Sequence, residues 1–437
     1  MTLVALAVCA LPLRAEKKVL EYWDLWTGPE GAAMQGIVND FNTSQDRIEV
    51  HYSSISDIDM KVMMSIAGRR PPDIAGNVDG MLPAYVDNNA LLPLDKLAAE
   101  AGIKEADYLP SVWHLCFYRG HLWALPSTPF SYALHWNKKL FRDAGLDPNK
   151  PPRTIAELEQ FNEKLTQRNP DGTYRMFGFL PMEPPWWTST LGVWFHGRLD
   201  DGAGHITALD EGNRKMMEWL ATYPKRFGVH EVSSFVQSSV GNFESPFEPF
   251  ISGQVAMEIE GPWMIHFIRV YGKPGFELGV APFPSETGTD QPVTLVSANI
   301  LTIPVGSPHP KEAFEFIAYV NRQKVIEKLC SEHYKFSPLT QVSDDFWRNN
   351  PNPDIRVFYD LAKSTGATST PQLPIWSQYD NEMRQATQDV WAERKTPEAA
   401  LQDVQDRMQP KLDRSVTRWN NISAQLNDTW MREEDQP

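Results

Sequence analysis

Tryptophan residues recur in this sequence where buried strands are expected to end. The chain holds 15 tryptophans in 437 residues, and several of them stand beside hydroxyl, amide and carboxyl side chains. An indole ring offers a flat apolar face at low entropic cost, and neighbouring oxygen and nitrogen atoms can pair with hydroxyl groups. A buried polar group left unpaired costs roughly 1–3 kcal/mol, so such a set selects stereochemistry. This combination is typical of carbohydrate recognition.

The candidate ligand-binding residues share a predicted position in a strand-exit loop or at a crossing between two domains. They are Trp26, Thr27, Asn77, Asp79, Ser127, Thr128, Phe130, Tyr132, Glu183, Trp186, Trp187, Gly261, Trp263, Ser297, Asn299 and Trp376. Some have an alternative structural role, because Asp79 could cap the helix that follows it and Glu183 could form a salt bridge. Six other tryptophans are interpreted as core residues. These are Trp113, Trp123, Trp219, Trp347, Trp391 and Trp419.

The sequence contains no local pattern of a catalytic or metal site. His230 and Glu231 lack the second histidine of a metalloprotease helix, and no Cys/His spacing predicts zinc. Acidic residues are numerous, but none falls into a recognisable catalytic motif. We therefore predict no catalytic residue, no metal and no cofactor.

Length and charge narrow the class of protein. A chain of 437 residues is too long for one ordinary core, so we expect two domains. Its 42% hydrophobic and 22% charged residues are typical of a folded globular protein. The formal net charge of −15 argues against nucleic acid or an anionic membrane surface as a partner.

The first 15 residues resemble an export signal. Residues 2–13 form an apolar run too short to span a bilayer, and Ala15 offers a cleavage point. We predict a signal peptide at 1–15 and a periplasmic mature protein. The alternative is a lipid anchor at Cys9, which the large Val8 before it disfavours. Beyond the leader, Cys116 and Cys330 could form a disulfide or remain two buried thiols.

Strands and helices alternate in the first third of the chain. Predicted strands at 18–25, 47–53 and 72–76 are separated by helices with one apolar face, the first carrying Met34, Ile37, Val38 and Phe41. Such alternation predicts an α/β fold with a parallel sheet, and ligands bind beyond the carboxyl ends of its strands. Residues 121–126 and 132–136 are predicted strands on either side of an irregular joint at 127–130, where Pro129 lacks an N–H donor. We expect the chain to cross between domains there, at 293–303 and at 336–339.

A family resemblance becomes visible at this joint. The run GHLWALPSTPFSYALHWNKKLFRDAGL at 120–146, followed by PPRTIAEL at 151–158, SGQVAM at 252–257, GPW at 261–263 and IPVGS at 303–307, is similar to the motifs of the bacterial extracellular solute-binding proteins of family 1. These are the maltose-binding-protein-like sugar receptors of ABC importers. The matches extend over nearly the whole mature chain and follow the family's order.

The resemblance implies a periplasmic-binding-protein type II fold, with two α/β lobes joined by a hinge of two or three strands. Its predicted lobes are residues 16–127 plus 299–333 and residues 128–298 plus 334–437. It further implies a monomer that captures a carbohydrate and delivers it to membrane permease subunits driven by a cytoplasmic ATPase. The large number of tryptophans favours an oligosaccharide as that carbohydrate. Trp263 occupies the Gly-Pro-Trp run in which the family carries a sugar-stacking tryptophan. Ser297, Ala298 and Asn299 replace the paired glycines common in the second crossing, which indicates side-chain contacts there.

Two other functions are compatible with parts of the pattern. A secreted glycoside hydrolase would place two carboxyl groups among the tryptophan-rich loops. An importer receptor for a non-sugar solute such as glycerol phosphate would share the fold. Phosphate would require Arg or Lys at the strand-exit loops, which hold almost none.

Overall fold

The computed structural model describes residues 17–239, 241–288 and 291–434, so the predicted signal peptide lies outside the described residues. The thirteen strands of the described chain are β1 Lys18–Asp24, β2 Ile48–Ser54, β3 Ile74–Val78, β4 Phe117–Tyr118, β5 His121–Leu122, β6 Ala124–Ser131, β7 Ala133–Asn137, β8 Gln167–Arg168, β9 Tyr174–Phe179, β10 Val255–Glu260, β11 Leu278–Ala281, β12 Val293–Thr302 and β13 Gly366–Ser369.

Helices account for most of the remaining described chain. They are α1 Gly28–Ser44, α2 Ile58–Ala67, α3 Leu82–Asp87, α4 Asp95–Glu100, α5 Pro110–Trp113, α6 Lys138–Asp143, α7 Ile155–Leu165, α8 Glu211–Leu220, α9 Thr222–Phe227, α10 Val229–Ser239, α11 Pro249–Ser252, α12 Met264–Tyr271, α13 Pro310–Val320, α14 Gln323–Glu332, α15 Asp344–Asn349, α16 Ile355–Lys363, α17 Trp376–Trp391 and α18 Pro397–Glu434. Short 3-10 turns occur at Asp79–Met81, Glu105–Asp107, His114–Cys116, Pro185–Trp187 and Leu191–Phe195.

Two sheets form the centres of two lobes. The first has the order β13-β12-β3-β1-β2, with β6 paired to β12, and β1 runs parallel to both β2 and β3 as the sequence predicts. The second has the order β11-β7-β10-β9-β8. Helix α1 buries the predicted stripe of Met34, Ile37, Val38 and Phe41 against the first sheet. The α/β class and the two-lobed type II architecture are thus confirmed.

Strand β6 corrects the predicted irregular joint at residues 127–130. It runs unbroken from Ala124 to Ser131 and pairs antiparallel with β12, with one register shift between Asn299 and Ile300. Among the described strands β6 pairs with β12 alone, so it is an edge strand. A proline whose nitrogen faces an open edge breaks no ladder hydrogen bond, which is why Pro126 and Pro129 fit within the strand.

The buried side chains divide into two large cores. Those of β1, β3, α1 and α13 form the first core, and those of β9, β10, α8 and α17 form the second. The chain does not pass to the second core at 336–339, where the sequence analysis places a third crossing. Phe336, Leu339 and the amphipathic face of α16 all pack in the first core, and Leu373 is the next residue in the second. Residues 334–372 therefore belong with the first lobe, and outside this segment the predicted division of residues between the lobes stays a prediction.

Cys116 and Cys330 are both buried as free thiols. The tryptophans interpreted as core residues are buried or partly buried within the two cores. No helix among the described residues combines the length and the apolar character that a membrane crossing requires.

Two glycines allow the packing of the second lobe to be tested against a matched control. A Cβ on Gly178 in β9 would lie 2.5 Å from Cα of Asn162 in α7, whereas one on Gly36 in α1 would meet nothing within 4 Å. We expect Gly178→Ala to lower the free energy of unfolding by about 1–3 kcal/mol through overpacking. Gly36→Ala should raise it by about 0.5–1 kcal/mol, because alanine is the better helix former. Urea unfolding followed by tryptophan fluorescence measures both, and equal stability of the two variants would contradict the close contact of β9 with α7.

Candidate ligand-binding cleft

Three strands direct their following residues toward the space between the lobes. In the first lobe, β1 ends at Asp24 just before Trp26, and β3 ends at Val78 just before Asp79. In the second lobe, β10 ends at Glu260 and leads into Gly261 and Trp263. The paired strands β6 and β12 carry the remaining predicted residues between these loops.

Five predicted aromatic residues form one continuous cluster. The ring of Phe130 lies 5.3 Å from that of Trp263 at an angle of 76°, and the ring of Tyr132 lies 3.9 Å from that of Trp187 and 6.2 Å from that of Trp263. Trp186 is next, 6.3 Å from Trp187. The structure therefore brings together side chains from β6, the Pro185–Trp187 turn and the loop after β10.

A buried lysine connects this cluster to Trp26 of the first lobe. The Nζ atom of Lys335 lies 4.2 Å from the centre of the Trp26 ring, 5.0 Å from that of Phe130 and 5.9 Å from that of Trp263. Only 1% of the residue is exposed. Burial lowers the pKa of Lys335 to about 8, although the nearby Glu30, Cys330 and Asp24 act in the opposite direction. Lys335 is thus surrounded by aromatic faces from both lobes.

The site position of Lys335 is not apparent from the sequence, for a physical reason. Lysine is rarely fully buried, so its position after a helix carries no signal of a site. The only sequence hint is its place directly before the residues 336–339 that were predicted to cross between lobes.

Polar side chains of the two crossing strands bond to one another next to Lys335. Ser127 Oγ donates to the carbonyl oxygen of Asn299 at 3.1 Å, and Thr128 Oγ1 donates to Asn299 Oδ1 at 3.0 Å. Lys335 Nζ donates to the same Oδ1 at 3.1 Å and to Thr128 Oγ1 at 3.4 Å. Three predicted site residues therefore meet at the crossing. The Nδ2 atom of Asn299 is buried without a partner among the described residues.

A second group of predicted residues consists of Asp79, Ser297 and Trp376. Their described contacts are mainly with other groups of the protein around the loop after β3. The Asp79 carboxylate accepts hydrogen bonds from Ser297 Oγ and, at 3.0 Å, from the Ala298 backbone nitrogen. Burial raises the pKa of Asp79 to about 6. The indole of Trp376 packs on Gly80, where an added Cβ would lie 3.2 Å from Cδ1. These contacts fix the loop after β3 to β12 and α17, and direct ligand contact by the set stays a prediction.

The described contacts of Thr27 and Asn77 are made within the first lobe and not with the aromatic cluster. Thr27 is exposed at the N-cap of α1 without a side-chain cap bond. The Asn77 amide donates to Asp59 Oδ1 at 2.8 Å and to the Tyr85 hydroxyl at 3.3 Å. The Asn77 side chain is therefore held within the first lobe, although its Oδ1 has no partner among the described residues.

Two buried carboxyl groups on β10 were not predicted. Glu260 accepts from Trp186 Nε1 at 2.9 Å and from the Gly261 backbone nitrogen at 2.6 Å, so it orients the Trp186 ring. Neither carboxyl oxygen of Glu258 has a hydrogen-bond partner among the described residues. Burial raises the pKa of both carboxyls. Glu183, which was predicted, is also buried close enough to influence Glu258.

Gly261 is required by close packing. A Cβ at this position would lie 2.3 Å from the Trp263 ring, so any larger residue would displace the indole. Two further indoles, that of Trp187 in the cluster and that of Trp26 beside Lys335, have buried Nε1 atoms without an acceptor among the described residues. Contact of these N–H groups with a ligand stays a prediction.

The two lobes also touch each other along one rim of the cleft. We call this contact, made by Tyr334 and Asn352 on one side and Pro262, His266 and Arg269 on the other, the rim contact. The ring of Tyr334, next to Lys335, lies 4.8 Å from that of His266 on α12, and the Arg269 guanidinium lies 5.9 Å from the same tyrosine ring. Asn352 Nδ2 donates to the carbonyl oxygen of Pro262 at 2.8 Å.

No group of three or more His, Cys, Asp or Glu residues suited to a metal occurs in the part of the chain that the structure describes.

Comparison with known proteins decides the family. The sequence profile of the family described as "Bacterial extracellular solute-binding protein" matches residues 26–326, more than half of the chain. This protein belongs to that family. Among curated relatives, the sn-glycerol-3-phosphate-binding periplasmic protein UgpB of Escherichia coli K12 is 22% identical over 417 residues, covering 89% of this chain and 91% of the relative. UgpB of Salmonella typhimurium is 23% identical over 426 residues, covering 92% of each chain.

Solved structures of similar shape include proteins that were determined with a bound sugar or are named as sugar-binding proteins. CpMnBP1 with mannobiose bound is 27% identical with a TM-score of 0.77, covering 89% of this chain and 99% of its own. The sugar-binding protein MalE of Xanthomonas citri is 22% identical with a TM-score of 0.75, covering 92% and 98%. The latter supports the fold alone.

His333 provides a pH test of the packing behind Trp26. Its ring lies edge-on to Trp26 at 5.4 Å, its Nε2 lies 3.1 Å from the Glu30 carbonyl oxygen, and burial lowers its pKa from 6.5 to about 3. Between those two pKa values the unfolded chain binds a proton that the folded chain does not, so stability falls as pH falls below 6.5. Between pH 6.5 and 4.5 we expect the free energy of unfolding to fall by about 2 kcal/mol more in the wild type than in His333→Gln.

The control is His51→Gln, at an exposed position. If the free energy of unfolding of His333→Gln depends on pH as steeply as that of the wild type, the buried imidazole is not neutral.

Proposed function

We propose that this protein is the periplasmic receptor of an ABC importer and that it captures a carbohydrate, an oligosaccharide, between its two lobes. The observation that carries the proposal is the meeting of indole rings from both lobes, Trp26 from the first and Trp263 with Trp187 from the second, around one buried site. Flat aromatic faces and unpaired indole N–H groups match the C–H faces and hydroxyl rim of a sugar. The similarity to CpMnBP1, whose structures hold mannobiose and mannotriose, supports the same class of ligand.

The two-lobed shape accounts for how capture would work. A ligand that contacts both lobes only when they are closed shifts the open–closed equilibrium by its differential affinity for the closed form. A micromolar dissociation constant corresponds to about −8.2 kcal/mol, which a few aromatic contacts and buried hydrogen bonds can supply. The closed form would then dock, as a monomer, on permease subunits whose ATPase partners drive release. Export would use the signal peptide predicted at residues 1–15.

A receptor for glycerol phosphate is the second candidate, and two observations favour it. The UgpB relatives are named as sn-glycerol-3-phosphate-binding proteins. The structure also adds the buried cation Lys335 to a site for which the sequence predicts almost no Arg or Lys. Against it, Asp24 and Glu30 lie near enough to affect the charge of Lys335, and both would repel a phosphate dianion. The carbohydrate therefore fits better.

The receptor function requires no chemical step. The second lobe contains three buried carboxyl groups, those of Glu183, Glu258 and Glu260. A glycoside hydrolase would need two carboxyl groups on opposite sides of the scissile bond. Incubation with each binding oligosaccharide should produce no new reducing ends, and their appearance would favour the hydrolase.

Trp263 should carry a large share of the affinity. For the best ligand of a thermal-shift screen against mono- and oligosaccharides, we expect Trp263→Ala to weaken binding by at least about tenfold, because an aromatic platform is lost. Calorimetry measures the change. Trp419→Ala, which removes an indole packed on Arg119 far along α18, is the control and should bind normally. Undiminished affinity in Trp263→Ala would remove Trp263 from the site.

Closure can be measured directly. Small-angle X-ray scattering should show a smaller radius of gyration with the best saccharide than without it. At a ligand concentration that half-saturates the wild type, the decrease should be much smaller in Trp263→Ala. An unchanged curve with every saccharide that binds would contradict capture by lobe closure.

A further inference from the structure

The ammonium group of Lys335 is buried between the lobes and forms no salt bridge with any residue that the structure describes. In the described part of the chain its hydrogen-bond acceptors are two neutral oxygens, Asn299 Oδ1 at 3.1 Å and Thr128 Oγ1 at 3.4 Å. An ammonium has three donors, so one N–H remains for another group. Removing a charge from water without a counter-ion costs several kcal/mol.

The nearby acids compensate this charge only in part. Both oxygens of Asp24 are engaged elsewhere, one by the Tyr22 hydroxyl and the other, at 2.6 Å, by the Leu25 backbone nitrogen. Glu30 acts on Lys335 without bonding to it. The pKa of Lys335 remains below its usual value despite both carboxyls, since desolvation outweighs their attraction. The aromatic faces of Trp26, Phe130 and Trp263 stabilise the cation but do not neutralise it.

A second unpaired donor lies beside the lysine. The Asn299 amide uses Oδ1 to accept from Thr128 and Lys335, while its buried Nδ2 has no partner among the described residues. The free N–H of Lys335 and the Nδ2–H of Asn299 are two donors linked through Asn299 Oδ1, and Asn299 itself is fixed by the β6–β12 crossing. A carboxylate can accept from two such donors at once.

We propose that Lys335 and Asn299 bind a carboxylate carried by the ligand, so that the captured carbohydrate contains a uronic acid. This inference rests on the proposed function, because the indoles that flank the ammonium would hold the sugar ring. A saccharide ring stacked on Trp26 or Trp263 places its substituents within reach of Nζ. The single charge of a carboxylate balances one ammonium, whereas the second charge of a phosphate would be opposed by Asp24 and Glu30.

The experiment compares acidic and neutral ligands in matched variants. Calorimetric titrations use galacturonate, glucuronate and mannuronate as mono- and disaccharides, the neutral hexoses and disaccharides of the same configuration, and sn-glycerol 3-phosphate. The variants are Lys335→Met, which keeps the apolar stem, and Lys324→Met at an exposed position on α14 as the control. Glu30→Gln removes a carboxyl that would oppose the ligand.

We expect at least one uronate to bind about tenfold or more tightly than its neutral counterpart. Lys335→Met should reduce that preference about tenfold and Lys324→Met should leave it unchanged, a tenfold step being about 1.4 kcal/mol. Glu30→Gln should strengthen uronate binding about threefold and leave neutral sugars unaffected, which keeps the test decisive if Lys335→Met does not fold.

Other outcomes overturn the inference in distinguishable ways. Binding of neutral saccharides alone would refute the carboxylate while leaving the carbohydrate receptor intact. Lysine-dependent binding of sn-glycerol 3-phosphate without any uronate would replace the carboxylate by a phosphate and refute the carbohydrate as well. The absence of binding by every saccharide would overturn both proposals.

Discussion

The antiparallel pairing of β6 with β12 is the constraint on which the rest of the structure depends. Both strands lie where the two cores approach each other, and their ladder runs from Val296 opposite Ser131 to Thr302 opposite Ala124. Every described residue of β6 is buried, including its hydroxyl-bearing side chains, so each polar group there must find a partner inside the protein. Ser127 and Thr128 find theirs on Asn299 of the opposite strand. The crossing therefore fixes the relative register of the two lobes and leaves a defined set of donors beside the cleft.

The aromatic residues depend on this crossing for their positions. Phe130 projects from β6 itself, and Tyr132 follows that strand directly. Their rings touch Trp263 and Trp187, which arrive from separate loops of the second lobe. Glu260 then orients Trp186 by accepting from its indole nitrogen. Hydrogen bonding and aromatic packing thus act at the same place, the first fixing the backbone and the second shaping a surface for an apolar sugar face.

Much of this arrangement could be predicted from the sequence, and the exceptions have physical causes. Tyr132 and Trp263 follow the ends of β6 and β10, and Trp187 lies in the turn that comes after β9, as the local sequence pattern predicts. The burial of Lys335 depends on residues far apart in sequence, so no local pattern reveals it. The continuity of β6 was missed because proline is disfavoured in a strand unless that strand lies at an edge, and edges are a property of the sheet. Contact of the predicted residues with a ligand stays a prediction.

The rim contact has a consequence for how affinity and selectivity are divided. Tyr334 of the first lobe already meets His266 and Arg269 of the second through side chains other than the indoles of the cleft. A contact between the lobes that forms on closure adds the same increment to the binding free energy of every ligand. Substitutions at the rim would strengthen or weaken all ligands in parallel, whereas substitutions around Lys335 would change their ranking. The overall affinity for ligands and the selectivity among them can therefore evolve independently of each other.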